Sequence, residues 1–182
     1  MAASHLRSPK LDTSTFSGAK IMNTPSLKQV LTNPYHFFAF GFGSGLAPKA
    51  PGTFGTLAAI PIFLMIQGLP LYLYVSWLVV TFALGVFWCD RSSRQLGVHD
   101  HGGIVWDEFV GFWMTMIMAP AGLVWVLVGF VLFRFFDILK PWPISWLDKK
   151  VHGGFGIMID DFVAGIYAFV ALQLIAYLVR LM

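Results

Sequence analysis

Acidic residues in this chain lie where strongly apolar segments begin or end. Asp107-Glu108 and Asp160-Asp161 each precede an apolar stretch, and Asp137 closes another. A carboxylate beside hydrocarbon is costly unless a cation, a basic partner or water compensates its charge. Hard oxygen ligands of this kind are the ones that Mg²⁺ prefers. We therefore take these five acids as candidate catalytic and metal-binding residues, and the pattern predicts a metal site at a membrane surface.

Each acidic pair also has a purely structural interpretation. Acids at a helix start accept hydrogen bonds from free backbone N–H groups and complement the helix dipole. Capping explains either pair alone, whereas two pairs together with Asp137 favour a shared site. Asp100, in His99-Asp100-His101, could supply a further oxygen ligand. Zinc at His99 and His101 is disfavoured because no further His or Cys lies nearby, and these histidines are expected to orient their loop.

Basic residues stand close to one of these acids. Arg134, Asp137 and Lys140 are spaced three residues apart, so they share one helical face. That face is either a structural ion-pair ladder or, in an enzyme, a place where Arg134 and Lys140 bind phosphate oxygens. Both interpretations stay open.

A glycine-rich loop, GFGSGLAPKAPGTFGT at residues 41–56, opens an apolar helix. Bare backbone N–H groups and a helix N-terminus suit an anion. Close packing of helices in a bilayer explains the same glycines equally well. Together with the two bases, this loop provides the candidate substrate-binding residues: Gly43, Ser44, Gly45, Thr53, Arg134 and Lys140.

The composition indicates the solvent in which these residues must be positioned. Apolar residues make up 57% of the chain and charged residues 12%, and the mean hydropathy is +0.73, outside the usual range of soluble domains. We therefore expect an integral membrane protein. The net charge of +3 is mild and the bases lie beside apolar segments, which favours anionic lipid over nucleic acid as a partner. The single cysteine, Cys89, is expected to serve packing.

Four apolar stretches define the expected fold. They cover residues 54–67, 69–89, 109–136 and 162–181, and the first two should form a helical hairpin. Pro-Ala-Gly at residues 120–122 breaks the third, which favours a hairpin turning at residues 119–122 over one kinked span. The prediction is an all-α integral membrane helical bundle with about four to five membrane-embedded helices, one a broken or re-entrant hairpin.

The chain divides into two parts. Residues 1–32 form a polar N-terminal tail, expected to be mobile over 1–24 and to carry a short interfacial helix at 26–31; residues 33–182 form one membrane-embedded domain. In the hairpin arrangement, the bases from Lys20 to Lys150 and all acids after residue 90 lie on one side of the membrane. The positive-inside rule makes that side the cytoplasm.

Four blocks carry a resemblance to a known family: GFGSGLAPKAPGTFGT (41–56), VHDHGGIVWDEFVG (98–111), FRFFDILKPWPI (133–144) and VHGGFGIMIDDFVAG (151–165). In this order they resemble phosphatidylglycerophosphatase A. The resemblance implies a multi-pass, Mg²⁺-dependent lipid phosphatase of the bacterial inner membrane that converts phosphatidylglycerophosphate to phosphatidylglycerol, with its active site facing the cytoplasm. It implies that the family's acids correspond to Asp107, Glu108, Asp137, Asp160 and Asp161, with Asp100 inside a matching block.

Both the reaction mechanism and the functional class of the protein leave an alternative open. A metal-polarised water attacking phosphorus in line, with one carboxylate as base, is the preferred mechanism, and an aspartyl-phosphate intermediate is the alternative. Acids near hydrocarbon also mark cation pathways, so a cation-coupled small membrane transporter is the alternative function. The acids stand at segment ends beside bases rather than at mid-span, which favours the enzyme.

Overall fold

A computed structural model describes residues 24–98 and 101–182 of the protein. Within these ranges the chain forms helices and no strands, which confirms the all-α prediction. Residues 1–23 of the predicted mobile tail, and Asp100, lie outside the described residues. The elements are α1 (Leu27–Thr32), α2 (Pro34–Ala39), a 3₁₀ segment (Gly41–Leu46), α3 (Pro51–Ile66), α4 (Leu71–Leu96), α5 (Trp106–Thr115), α6 (Leu123–Leu139), α7 (Ile144–Lys150) and α8 (Gly153–Leu181).

Two short helices precede the apolar bundle. The predicted helix at 26–31 is present as α1, where the Ser26 hydroxyl accepts from the Gln29 N–H at 3.3 Å and Gln29 Oε1 accepts from the Ser26 N–H at 2.7 Å. This reciprocal pair satisfies backbone groups that the first helical turn leaves free. The Asn33 side chain then caps α2 by accepting from the Tyr35 N–H at 3.0 Å.

Helices α3 and α4 are joined by the predicted turn at residues 67–70, but α3 packs on α5 and α4 on α8 rather than on each other, and α4 is longer than expected. The prediction ended this helix at Cys89, whereas the helix continues to Leu96. Asp90 and Arg94 are one turn apart and form an ion pair at 2.9 Å, so charged residues continue the helix beyond its apolar part. The helix ends at Gly97, which has a left-handed backbone (φ +69°).

Helices α5 and α6 form the second hairpin, and the kinked-span alternative is wrong. The chain turns at residues 116–122, where Gly122 has a φ of +122°. At the other end of the hairpin, Arg134 Nη1 on α6 lies 3.8 Å from Glu108 Oε1 on α5, so the two helices are antiparallel. With 10 residues, α5 is only about 15 Å long, too short to cross a bilayer.

Helix α8 begins at Gly153 rather than at residue 162, and this corrects the sequence analysis. Asp160 and Asp161 therefore lie two turns inside a helix, so the interpretation of this pair as helix caps is wrong. The sequence analysis began this helix after the acid pair, where the uninterrupted apolar run starts. The three glycines before the acids, Gly153, Gly154 and Gly156, are poor helix formers. They form a helix because it lies almost against α4: a Cβ on Gly154 would come within 2.0 Å of the Val86 carbonyl oxygen.

Helices α5 and α8 also cross at close range. A Cβ on Gly165 would lie 2.4 Å from the Gly111 carbonyl oxygen, and one on Gly111 would lie 2.7 Å from the Asp161 carbonyl oxygen. Both glycines are therefore required for backbone-to-backbone contact, the way small residues act between helices in membranes. The crossing sets the first turns of α5 beside Asp161.

Buried aromatic residues attach α5 to the other helices. Trp106 Nε1 donates to the Thr81 carbonyl on α4 at 3.1 Å, and Trp113 Nε1 donates to the Ala59 carbonyl on α3 at 3.0 Å. The Tyr74 hydroxyl donates to the Trp113 carbonyl at 2.7 Å. These rings fill the core while their polar atoms remain paired, so three hydrogen bonds hold α5 to α3 and α4.

The exterior of the bundle is strongly apolar. Helices α4 (26 residues, hydropathy 1.8) and α8 (29 residues, hydropathy 2.2) are long and apolar enough to cross a membrane, and α3 is a shorter apolar helix. Large apolar side chains on several helices are more than half exposed, among them Val79, Val131, Phe135, Val170 and Tyr177. Exposed apolar surface of this extent marks a membrane or partner contact.

The α5–α8 crossing makes a testable prediction. We expect Gly165→Ala to lower the melting temperature in detergent by about 5 °C, because an added methyl in a packed contact costs roughly 1–3 kcal/mol. Gly68→Ala is the matched control, since nothing lies within 4 Å of a Cβ at that turn position. Thermal unfolding of both variants measures the effect, and equal melting temperatures would contradict the close crossing.

Candidate active site

A polar cavity of about 210 Å³ lies where α5, α6, α7 and α8 meet. All five acids predicted from the sequence line it, together with Lys140. One acid of the cavity, Asp148 on α7, was missed because it stands alone beside Lys149-Lys150 and not at the end of an apolar run. The acids that line the cavity are Asp107, Glu108, Asp137, Asp148, Asp160 and Asp161.

Three of these acids converge closely enough to share a metal ion. Oxygen atoms of Asp107, Glu108 and Asp161 all lie within 4.8 Å of one another. Two come from the first turn of α5, and the α5–α8 crossing brings the third. Glu108 Oε2 is buried and accepts no hydrogen bond from the described residues, so an acceptor there is still available. An all-oxygen set of this kind fits a hard divalent cation such as Mg²⁺.

The cavity carries a large excess of negative charge. Among the described residues, six carboxylates line it, and the bases paired with them are Arg134 and Lys140. Burial, together with the nearby charge of Asp161, raises the pKa of Glu108 to about 8. Without a cation, burial and the neighbouring acids therefore favour the protonated form of Glu108 near neutral pH, and a bound cation would displace that proton.

Arg134 forms ion pairs with acids of the α5–α6 hairpin. Its Nη1 contacts the Asp137 carboxylate and lies 3.8 Å from Glu108 Oε1, and its side chain is only 15% exposed. Gly52, at the start of α3, closes the other side: a Cβ there would lie 2.2 Å from Glu108 Oε1 and 3.0 Å from Arg134 Nη1. This geometry favours the ion-pair interpretation of Arg134 over the phosphate clamp.

Lys140 ends α6 and reaches into the cavity. Its ammonium donates to Asp148 Oδ1 and to Asp160 Oδ2, each at 2.7 Å. Burial lowers the pKa of Lys140, but the two carboxylates outweigh burial and raise it overall, so this lysine is charged. Asp160 therefore pairs with Lys140, while its neighbour Asp161, about 100° further round the helix, is one of the three converging acids.

The glycine-rich loop lies beside the cavity and does not line it. Gly43 faces Leu27, and the Ser44 hydroxyl donates back to the Gly41 carbonyl at 2.8 Å. Gly45 packs against the backbone that leads into α5, and Thr53 is in the first turn of α3. Substrate binding by these four residues stays a prediction. Gly52, which the sequence analysis did not single out, is the loop residue that contacts site side chains.

The loop before α5 is ordered by a buried histidine. His101 Nδ1 accepts from the Gly103 N–H at 3.0 Å, and its ring packs against Phe40. This agrees with the expected structural role of His101, while His99 lies outside the described residues. The loop delivers Asp107 and Glu108 to the cavity.

Known proteins resemble this chain over most of its length. The family model described as Phosphatidylglycerophosphatase A matches residues 37–176. Phosphatidylglycerophosphatase A of Escherichia coli K12 is 52% identical over 137 residues, which are 75% of this chain and 80% of that protein. The protein of the same name from Haemophilus influenzae Rd is 47% identical over 159 residues, 85% of this chain and 96% of that protein. No solved structure matches significantly. The transporter alternative finds no support in these relatives.

The raised pKa of Glu108 predicts how stability depends on pH. The folded pKa of about 8 exceeds the ordinary 4.5, so the folded state binds this proton more tightly than the unfolded state. We expect the free energy of unfolding of chelator-treated protein to fall as pH rises from about 6 to 9. Glu108→Gln should reduce this dependence, because the amide does not ionise.

Melting temperatures across that pH range, with a chelator present, measure the effect. Asp90→Asn is the control, since Asp90 pairs with Arg94 outside the cavity and should leave the slope unchanged. A Glu108→Gln variant with the slope of the parent protein would contradict the assignment.

Proposed function

This chain belongs to the phosphatidylglycerophosphatase A family and is a phosphoric monoester hydrolase, and from this we propose that it is a Mg²⁺-dependent phosphatidylglycerophosphatase. It hydrolyses the terminal phosphomonoester of phosphatidylglycerophosphate to phosphatidylglycerol and inorganic phosphate. The family name supports the substrate, and the cavity supports the need for a cation.

One observation carries the metal requirement: the cavity is lined by six carboxylates and one lysine. A phosphomonoester is a dianion near neutral pH, so this cavity would repel the proposed substrate unless cations offset its acids. Asp107, Glu108 and Asp161 provide the convergent oxygens that would hold the ion. When bound, Mg²⁺ would offset charge on the phosphate oxygens and make a bound water a better nucleophile.

The other charged side chains of the cavity position the phosphate and the acids and offset their charge. Lys140 donates to a phosphate oxygen, and Asp160 with Asp148 holds the ammonium at the cavity. Arg134 holds Glu108 and Asp137 in place and reduces the repulsion among the acids. Water attacks phosphorus in line with the leaving oxygen, and a carboxylate of the cavity accepts the proton of that water. The bond between phosphorus and the glycerol oxygen breaks, and this oxygen takes up a proton and leaves as the hydroxyl of phosphatidylglycerol.

We further propose that the protein lies in the bacterial inner membrane with the cavity at the cytoplasmic surface. Helices α4 and α8 have the length and hydropathy of spans, and the exposed apolar side chains would face lipid. The cavity end of the bundle carries Arg91, Arg94, Lys149 and Lys150, while the turn between α3 and α4 carries no base. That asymmetry follows the positive-inside rule.

Phosphate release from the lipid tests the proposed reaction. Purified protein in detergent, given phosphatidylglycerophosphate, should release inorganic phosphate with Mg²⁺ and lose this activity with a chelator. Asp107→Asn and Asp161→Asn should reduce kcat by about a hundredfold or more and abolish the rise in melting temperature that Mg²⁺ causes in the parent protein. Lys140→Gln should mainly raise KM while the Mg²⁺ response stays.

Asp90→Asn is the matched control, because it removes a carboxylate outside the cavity, and it should retain activity. Chelator-resistant turnover would exclude the metal part of the proposal. Absence of phosphate release under all conditions would exclude this substrate.

The membrane orientation is tested by labelling single cysteines in a Cys89→Ala background. A cysteine at Lys149, on α7, should react with an impermeant maleimide only after the cells are opened. A cysteine at Gly68, in the turn between α3 and α4, should react in cells whose outer membrane alone is permeable. Reaction of Lys149→Cys from the outside would reverse the proposed orientation.

A further inference from the structure

An apolar groove of about 510 Å³ lies between α6 and α8, next to the acid cavity. Phe136 and the Pro141-Trp142 segment form one wall, and Tyr167, Val170 and Ala171 of α8 form the other. Its volume is in the range of ordinary ligand sites, roughly 300–1,000 Å³. No role in the proposed reaction requires this groove.

The groove continues directly from the cavity. Lys140 lines the cavity and the next residue, Pro141, lines the groove. On α8, Asp160 of the cavity is followed after seven and eleven residues by Tyr167 and Ala171 of the groove, so all three share one helical face. At 1.5 Å per residue, the groove lies about 10–16 Å along the helix from Asp160.

Aromatic residues form the boundary between the polar and apolar parts. The Tyr167 hydroxyl donates to the Trp142 carbonyl at 3.2 Å, and the Tyr167 and Phe136 rings pack with their centres 5.7 Å apart. The Trp142 side chain is 78% exposed. Tyr and Trp at such a boundary are typical of the level where lipid headgroups meet acyl chains.

We propose that this groove seats one acyl chain of the lipid whose phosphate lies in the acid cavity. The proposal rests on the proposed function and specifies how that substrate enters, from the side between α6 and α8. The headgroup lies beside Lys140 and Asp160, and the chain runs past Tyr167 toward Ala171.

A second apolar groove, of about 480 Å³, offers a comparison on another face of the same helix. It is lined by Ala83 of α4 and by Phe155, Ile159 and Phe162 of α8. At 100° per residue, these α8 positions point at least about 100° away from Asp160, so a lipid seated there would not follow the face that leads to the cavity. We expect this groove to contact bulk lipid only.

The apolar interior of the bilayer determines how the α6–α8 groove would assist the reaction. An acyl chain that moves from lipid into the groove exchanges one apolar environment for another, so burial yields little net hydrophobic free energy. The benefit is positional, because a seated chain holds the phosphate at the cavity. Filling the groove should therefore impair turnover of the lipid and leave turnover of a headgroup without chains unchanged.

Two matched substitutions test this difference. Ala171→Phe fills the α6–α8 groove, and Ala83→Phe places the same ring in the other groove. With phosphatidylglycerophosphate in mixed micelles, Ala171→Phe should lower kcat/KM about tenfold, and Ala83→Phe should change it less than about twofold. With the deacylated headgroup, glycerophosphoglycerophosphate, both variants should equal the parent protein. Equal losses in both variants on the lipid, or no loss in Ala171→Phe, would overturn the proposal.

Photolabelling separates failure of the groove from failure of the proposed reaction, because it needs no turnover. Phosphatidylglycerophosphate with a diazirine in one acyl chain should label the peptide that carries Val170 and Ala171 in preference to the peptide that carries Ala83. The same probe without its terminal phosphate should label both grooves alike. Labelling of both grooves alike by the phosphate-bearing probe would overturn the proposal, even if hydrolysis is confirmed.

Discussion

Repulsion among carboxylates in one small, largely buried cavity is the main constraint on this structure. Charges of one sign at such distances cannot all remain ionised without compensation. The fold supplies part of it: Asp107 and Glu108 stand in the first turn of α5, where the helix dipole favours negative charge, and Arg134 and Lys140 pair with their neighbours. What remains, around Asp107, Glu108 and Asp161, is an excess of negative charge, which a bound cation would offset under the proposed function.

Close backbone contact makes this concentration of charge possible. Gly111 and Gly165 let α5 and α8 approach until no Cβ fits between them, and Gly52 does the same for α3 against Glu108 and Arg134. A larger side chain at any of these positions would separate the helices and with them the acids. The geometry of the polar cavity thus depends on these small residues, which act as small residues do between helices in membranes.

The sequence predicted the acids well and their surroundings less well. Apolar stretches with acids at their ends place Asp107 and Glu108 correctly, and the breaker at 120–122 gives the right hairpin, because both signals are local. Asp161 was placed at a helix start because the uninterrupted apolar run begins after it. The helix starts earlier because contact with α4 outweighs the low helix propensity of the glycines before the acids. Asp148 and Gly52 act only through the tertiary arrangement, so no local pattern marks them.

The adjacent acids Asp160 and Asp161 show how one helix can organise two functions. Successive helical residues point about 100° apart, so one carboxylate meets Lys140 while the other meets the acids of α5. The cavity consequently has a basic side and an acidic side, and under the proposed function a phosphate between them would meet positive charge from both, from Lys140 and from a bound cation. The lysine's face of α8 continues to Tyr167 and Ala171. A lipid aligned with that face would bring its phosphate to Lys140 before it reached the acids, which orders recognition ahead of reaction.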